Sequence, residues 1–171
     1  MFKGQVQVYT GDGKGKTTAA VGLSARALGA GLRVYFAQFI KSRESSEFAA
    51  LETFGERFRL RRFGRGFIRG VPSKKDIEAA RAGFIETRDA MLSGSYDIVV
   101  LDEINVAVSL GLISSENIVA LIKDRPDGVE LVLTGRNAHE AIIAAADLVT
   151  QATLIKHYYQ KGLQAREGIE Y

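Results

Sequence analysis

Lys16 and Thr17 stand directly behind Gly15 in the stretch YTGDGKGKTT, Tyr9 to Thr18, which follows a short apolar run. Three glycines and two lysines between a strand and a helix suit one kind of chemistry. Successive backbone N–H groups of such a turn point inward, and the helix N-terminus adds partial positive charge, so the turn makes a nest for an anion. Gly11, Asp12, Gly13, Lys14 and Gly15 form the loop, whose glycines let the backbone approach phosphate oxygens without side chains in the way. Lys16 reaches the outer phosphates, the Thr17 hydroxyl ligates Mg²⁺, and Thr18 completes the first helical turn. The pattern G-x-x-x-x-G-K-[ST] is broken at its first position, where Thr10 stands and the glycine is displaced to Gly11.

A second element fits the first. The run IVVLDE is an apolar strand ending in two acids, and Asp102 or Glu103 reaches Mg²⁺ directly or through water. Both lie at the carboxyl end of a strand, where open α/β sheets bind ligands. A third strand, VELVLTGR, opens on the same crevice through Thr134, Gly135 and Arg136; Arg136 meets phosphate or caps a surface. Glu103 also occupies the place of a water-activating base. By residue chemistry alone a RecA-like ATPase or a small-molecule kinase therefore stays open.

The elements that must position these groups alternate along the chain. QVQVYT reads as a strand, KTTAAVGLSARALGAG as a helix, and RVYFAQF as a second strand. SSEFAALETFG is a short helix capped by Ser45 or Ser46, and RFRLRRF is a strand near an edge because of its charge. GRGFIRGVPS is a loop. The longest helix opens at Ser73 in an S-x-x-D capping pattern and closes at Gly94. YDIVVLDE and VELVLTGR are unbroken apolar runs, as in parallel strands buried on both faces. SSENIVALIKDRP and AHEAIIAAAD are helices, and LVTQATLI is a last strand. This order gives one α/β domain over residues 1–171, three-layered with a mainly parallel sheet, plus a tail from about residue 156 without a clear period. The tail is expected to fold over the crevice.

Composition narrows the classes. The chain has 171 residues, 46% apolar and 25% charged, with net charge +3, a globular balance. Cysteine is absent, so neither a disulfide framework nor a thiolate metal site exists. No apolar run approaches a membrane span, and MFKGQ lacks a signal-peptide core, so a cytoplasmic protein with no membrane partner is expected. From Arg57 to Arg69, RFRLRRFGRGFIR holds six arginines and no acid. Arginine–glycine segments that bind RNA usually repeat, and this one does not, so nucleic acid is not expected as a partner.

Taken together, VYTGDGKGKTTAAVGLSARALG, QFIK, VVLDEINVA, LVLTGR, DLVT, IKH and GIEY closely resemble the P-loop type of ATP:corrinoid adenosyltransferase, in order over nearly the whole chain. The family begins its phosphate loop as this chain does, which accounts for Thr10. The resemblance implies a RecA-like P-loop NTPase fold and a transferase that moves the adenosyl group of ATP to the Co(I) of a corrinoid, releasing triphosphate. It implies Lys16, Thr17 and Glu103 as catalytic residues, and Thr17, Asp102 and Glu103 on Mg²⁺ or Mn²⁺. Arg26 matches a family arginine near the nucleotide. Phe67, in GRGFIRG, matches an aromatic that presses on one corrin face, whereas Arg69 stands where some members have tryptophan. His157 matches a family position near the site. A flavoprotein reductant and a homodimer are implied as partners, and contact with the corrinoid's phosphate-bearing tail as one use for the arginines.

Overall fold

The computed structural model describes residues 3–41, 45–66, 68 and 70–171. In chain order its elements are β1 (Val6–Thr10), α1 (Lys16–Gly29), β2 (Val34–Gln38), α2 (Ser46–Glu52), β3 (Phe58–Arg62), α3 (Lys74–Leu92), β4 (Ile98–Asp102), α4 (Ile104–Ser109), α5 (Ser115–Asp124), β5 (Glu130–Thr134), α6 (Glu140–Ala145) and β6 (Leu148–Gln151). The six strands form one sheet in the order β3-β2-β4-β5-β1-β6, and every pairing is parallel.

The period of two along each strand splits the core into two layers. Val34, Phe36, Ile98 and Val100 point to the face covered by α1 and α2, where they meet Ala20, Leu28 and Phe48. Tyr35, Ala37, Val99 and Leu101 point to the opposite face and pack with Met91, Ile104, Ile118 and Ile142 of α3 to α6. Strands β2, β4 and β5 are buried at every position, which is why they read as continuous apolar runs. β3 is an edge strand, and its arginines are held from the side. Arg61 pairs with Glu86 of α3 at 2.6 Å, while Arg57, just before the strand, donates to Leu28 O at 3.1 Å. Ser73 caps α3 with Asp76 in a reciprocal box, and Gly94 takes the left-handed turn after it at φ 72°.

One element was not anticipated, and one expectation is corrected. Residues INVAVS form α4, a helix concealed by its β-branched residues and its length of 6. The last strand stops at Gln151 instead of Ile155, because Ala152 leaves the sheet to lie against the phosphate loop. Ala152 N donates back to Thr10 O, and Ala152 O accepts from Gly13 N, both at 2.8 Å.

Candidate active site

β1 and β4 are separated only by β5, with Tyr9 opposite Thr134 and Gln38 opposite Asp102. The sheet thereby delivers the phosphate loop, the acid pair and the TGR turn to one end of three neighbouring strands. Between them lies a cleft of about 270 Å³ lined by residues 12–18, Lys41, Glu103, Arg136, His157 and Glu170.

The loop glycines are required for different reasons. A Cβ on Gly11, at φ 91°, would sit 2.4 Å from Ala152 O. One on Gly13 would meet the backbone of Ala152 and Thr153 at 2.9–3.0 Å. Gly15, at φ 115°, has open space where its Cβ would point, so here the backbone turn alone demands glycine. Gly15 caps α1 without a side-chain bond, and the first turn holds no acid. The orphan N–H groups of that turn therefore face the cleft as an anion site. Thr10, the departure from the motif, is buried and accepts from Ala138 N at 3.2 Å, which ties the loop to the segment after β5.

Lys16 folds over its own loop, donating from Nζ to Gly11 O and Gly13 O at 2.7 Å each. Burial lowers its pKa, an effect opposed by the charge of Glu103. Asp102 is fully buried and accepts three bonds. The hydroxyls of Thr17 and Thr134 reach Oδ1 at 2.9 and 2.7 Å, and Gln38 Nε2 reaches Oδ2 at 3.1 Å. Since all three partners donate, the carboxylate is fixed as an acceptor. Glu103 follows in the left-handed region at φ 62°, a conformation that costs a non-glycine residue about 1–2 kcal/mol. Its N–H donates to Thr134 Oγ1 at 3.0 Å. Burial raises its pKa and the Asp102 charge adds to that, while Lys16, Lys41 and Arg136 pull it back. Gly135 turns the chain at φ 126° with Val106 N 3.1 Å from its would-be Cβ, and Arg136 emerges exposed in the cleft.

The sequence model of a family described as ATP:corrinoid adenosyltransferase BtuR/CobO/CobP matches residues 2–171. The chain belongs to that family. The corrinoid adenosyltransferase of Pseudomonas aeruginosa is 36% identical over 171 residues, 99% of this chain and 84% of that protein. That of Escherichia coli K12 is 34% identical, covering 99% and 86%. Among solved structures, the flagellar accessory protein FlaH from Methanocaldococcus jannaschii superposes with a TM-score of 0.62 at 10% identity, over 88% of this chain and 72% of that one. At that identity the likeness speaks for the fold alone, an α/β fold around a parallel sheet.

Gly13, Lys14, Gly15, Lys16, Thr17, Thr18, Asp12, Glu103 and Arg136 all line the cleft, and Asp102 lies beneath it on Thr17. Gly11 shapes the loop from behind. Arg26 stands exposed in the last turn of α1, ten residues and about 15 Å of helix rise beyond Lys16, outside the cleft lining. Phe67 and Arg69 lie outside the described residues. His157 lines the cleft and caps its own turn, Nδ1 accepting from Tyr159 N at 3.0 Å, whereas His139 caps α6 outside the cleft lining. Sequence reasoning passed over Gln38 and Lys41 as site residues and placed Thr134 on the crevice without a role there. The first two were present in QFIK and the third in TGR; the sheet register brings Gln38 and Thr134 to Asp102, and Lys41 lines the cleft beside Glu103.

Proposed function

We propose that the chain transfers the 5′-deoxyadenosyl group of ATP to the Co(I) of a corrinoid, releasing triphosphate. The observation that carries this is a phosphate loop with an uncapped helix N-terminus and Lys16 over the cleft, in a chain of this family. Co(I) is the nucleophile: its electron pair forms the Co–C bond to C5′, the C5′–O bond breaks, and the pair leaves on triphosphate. The charge that develops there is what the Lys16 ammonium and the loop N–H groups can stabilise. Lys16 needs only to exchange two loop carbonyls for phosphate oxygens.

Magnesium or manganese suits the donor set. Among the described residues no group of three or more His, Asp or Glu side chains forms a metal cage. What exists is a threonine hydroxyl against a buried carboxylate, and Mg²⁺ usually takes one or two such oxygens with waters and substrate phosphates. Thr17, Asp102 and Glu103 would hold it, where it would offset phosphate charge.

On the same reading Arg136 meets the triphosphate, Arg26 lies toward the nucleoside, and Phe67 packs on the corrin. A single domain of residues 1–171, a flavoprotein reductant and a cytoplasmic setting complete the proposal. No helix among the described residues is long and apolar enough to cross a membrane. A homodimer is part of it too; among the described residues β6 pairs with β1 alone, and its Leu148 and Val149, with Ile155 beyond it, are exposed apolar groups.

The test is anaerobic incubation of chemically reduced Co(I) corrinoid with ATP and Mg²⁺, followed by the visible spectrum. Decay of the Co(I) band into a light-sensitive Co–C spectrum, absent in Lys16→Ala, supports the proposal. An untouched corrinoid with accumulating ADP refutes it in favour of an ATPase using Glu103 as base.

A further inference from the structure

The motif GIEY does something the reaction above leaves unexplained. Glu170 Oε1 accepts from Lys14 Nζ at 2.9 Å and from the Tyr158 hydroxyl. Arg166 adds its backbone N–H and Nε to Oε2, at 2.8 and 3.2 Å, and Nη2 to Oε1 at 3.2 Å. Lys14 Nζ donates in addition to the Tyr158 hydroxyl oxygen at 2.9 Å and to Ile169 O at 3.2 Å. All three ammonium protons of Lys14 are thus committed to the tail. Both cations also lie near the Tyr158 ring, Lys14 at 5.6 Å and Arg166 at 5.3 Å from its centre. The Arg166 bonds first, then those of Tyr158 and Lys14, hold the Glu170 carboxyl well below the usual carboxylate range.

Glu170 lies where this matters. It lines the phosphate cleft and also a neighbouring cavity of about 370 Å³ bounded by Thr18, Val21, Ser46 and the 168–171 segment. Glu170 and Thr18 border both. Beyond it, Ser46 Oγ donates to Tyr171 O at 3.3 Å, so the tail crosses from the loop to the start of α2. A carboxylate facing a bound triphosphate would repel it, unless cations neutralise the carboxylate, and Lys14 and Arg166 do so. Two loop lysines therefore have separate work: Lys16 faces the phosphates and Lys14 faces the tail.

We infer that Glu170 is a positioning residue of the nucleotide site, fastening the 166–171 segment across the phosphate loop through Lys14 so that bound nucleotide is retained. The inference rests on the ATP-binding half of the function proposed above and not on the corrinoid chemistry. Its effect is on nucleotide release, so the transfer step itself is unchanged.

A double-mutant cycle of Lys14→Met and Glu170→Ala tests this, with Glu170→Gln as a milder variant. Dissociation of a fluorescent ATP analogue in Mg²⁺, amide exchange of residues 166–171, and KM and kcat for ATP are followed in each. Each single variant is expected to raise the dissociation rate and KM about 5- to 10-fold with kcat within about 2-fold, and the pair to be no worse than the worse single. Exchange of the 166–171 amides should rise in both single variants alike, and Glu170→Gln should lie between wild type and Glu170→Ala. Effects that multiply in the double variant would show that Lys14 acts on the phosphates independently and overturn the inference. So would a fall in kcat at constant KM, or exchange that is unaltered in Lys14→Met. The nucleotide readouts need no corrinoid, so a failure of adenosyl transfer in the wild type would leave the cycle interpretable.

Discussion

Replacing Asp102 by asparagine separates the two roles a buried carboxylate can have. The side chain is fully buried, and its partners Thr17, Thr134 and Gln38 are all neutral donors. A hydrogen bond to a charged acceptor contributes about 1 kcal/mol more than one to a neutral acceptor, so three of them lose about 3 kcal/mol in the amide. Removing the charge also removes its desolvation penalty, which is of the same size or larger. The new amide N–H₂ would face the Gln38 amide donor, yet Gln38 Oε1 is buried without a partner. Rotation of the Gln38 amide by half a turn gives the new donor an acceptor. The ligand-free Asp102→Asn protein is therefore expected to unfold within about 1 kcal/mol of wild type, or within about 2–4 °C in Tm. Its MgATP affinity should fall at least tenfold, toward the value wild type shows in EDTA, if Asp102 holds Mg²⁺ as proposed. Calorimetric unfolding and isothermal titration with and without Mg²⁺ read both. A loss above about 3 kcal/mol would mean the carboxylate is a structural keystone. A Mg²⁺ dependence left intact would place the metal elsewhere.

Other substitutions probe the supports of the site. Thr134→Val keeps the shape but leaves the Glu103 N–H without its acceptor and Asp102 one donor short; a loss of about 2–4 kcal/mol is expected in urea denaturation. Gly13→Ala drives a Cβ into the backbone of Ala152 and Thr153 and should cost about 1–3 kcal/mol. Gly15→Ala meets nothing, so the strain of its positive φ, about 1–2 kcal/mol, is the whole expected cost; a loss above about 3 kcal/mol there would refute the reading. Glu103 has a raised pKa in the fold, so the folded chain holds that proton above the pH at which the unfolded chain loses it. Stability from this group is full below the ordinary glutamate range and is lost as pH rises through the raised value. Glu103→Gln should therefore be more stable than wild type at pH 7–8 and lose that advantage toward pH 4, as thermal melts across pH would reveal.

Much of this architecture is legible in the residues themselves. The runs IVVLD and ELVLT could only be strands covered on both faces, and the Ser73–Asp76 box marked the start of α3 to the residue. The phosphate loop was visible from three glycines and a lysine in the right local setting. What escaped depended on distance in sequence. Gln38, Asp102 and Thr134 come together because β2, β4 and β5 are neighbours in register, and nothing local announces it. The GIEY motif was conspicuous as a string and mute as chemistry until the tail lay against Lys14. β6 ended early because its next residue hydrogen-bonds the phosphate loop, a contact across about 140 residues. α4 was missed since valine-rich short segments carry no helical period worth reading.

The central claim, that the phosphate loop grips a leaving group, is tested most directly by the phosphorus products of a single turnover. Enzyme, limiting Co(I) corrinoid, ATP and Mg²⁺ are mixed anaerobically, quenched, and the products counted by ³¹P NMR beside the alkylated corrinoid. Intact triphosphate in equal amount to the Co–C product, both lost together in Lys16→Ala, is the predicted result. Triphosphate absent while ADP and orthophosphate form in step with ATP loss would contradict it, because the loop would then be holding a transferred phosphoryl group.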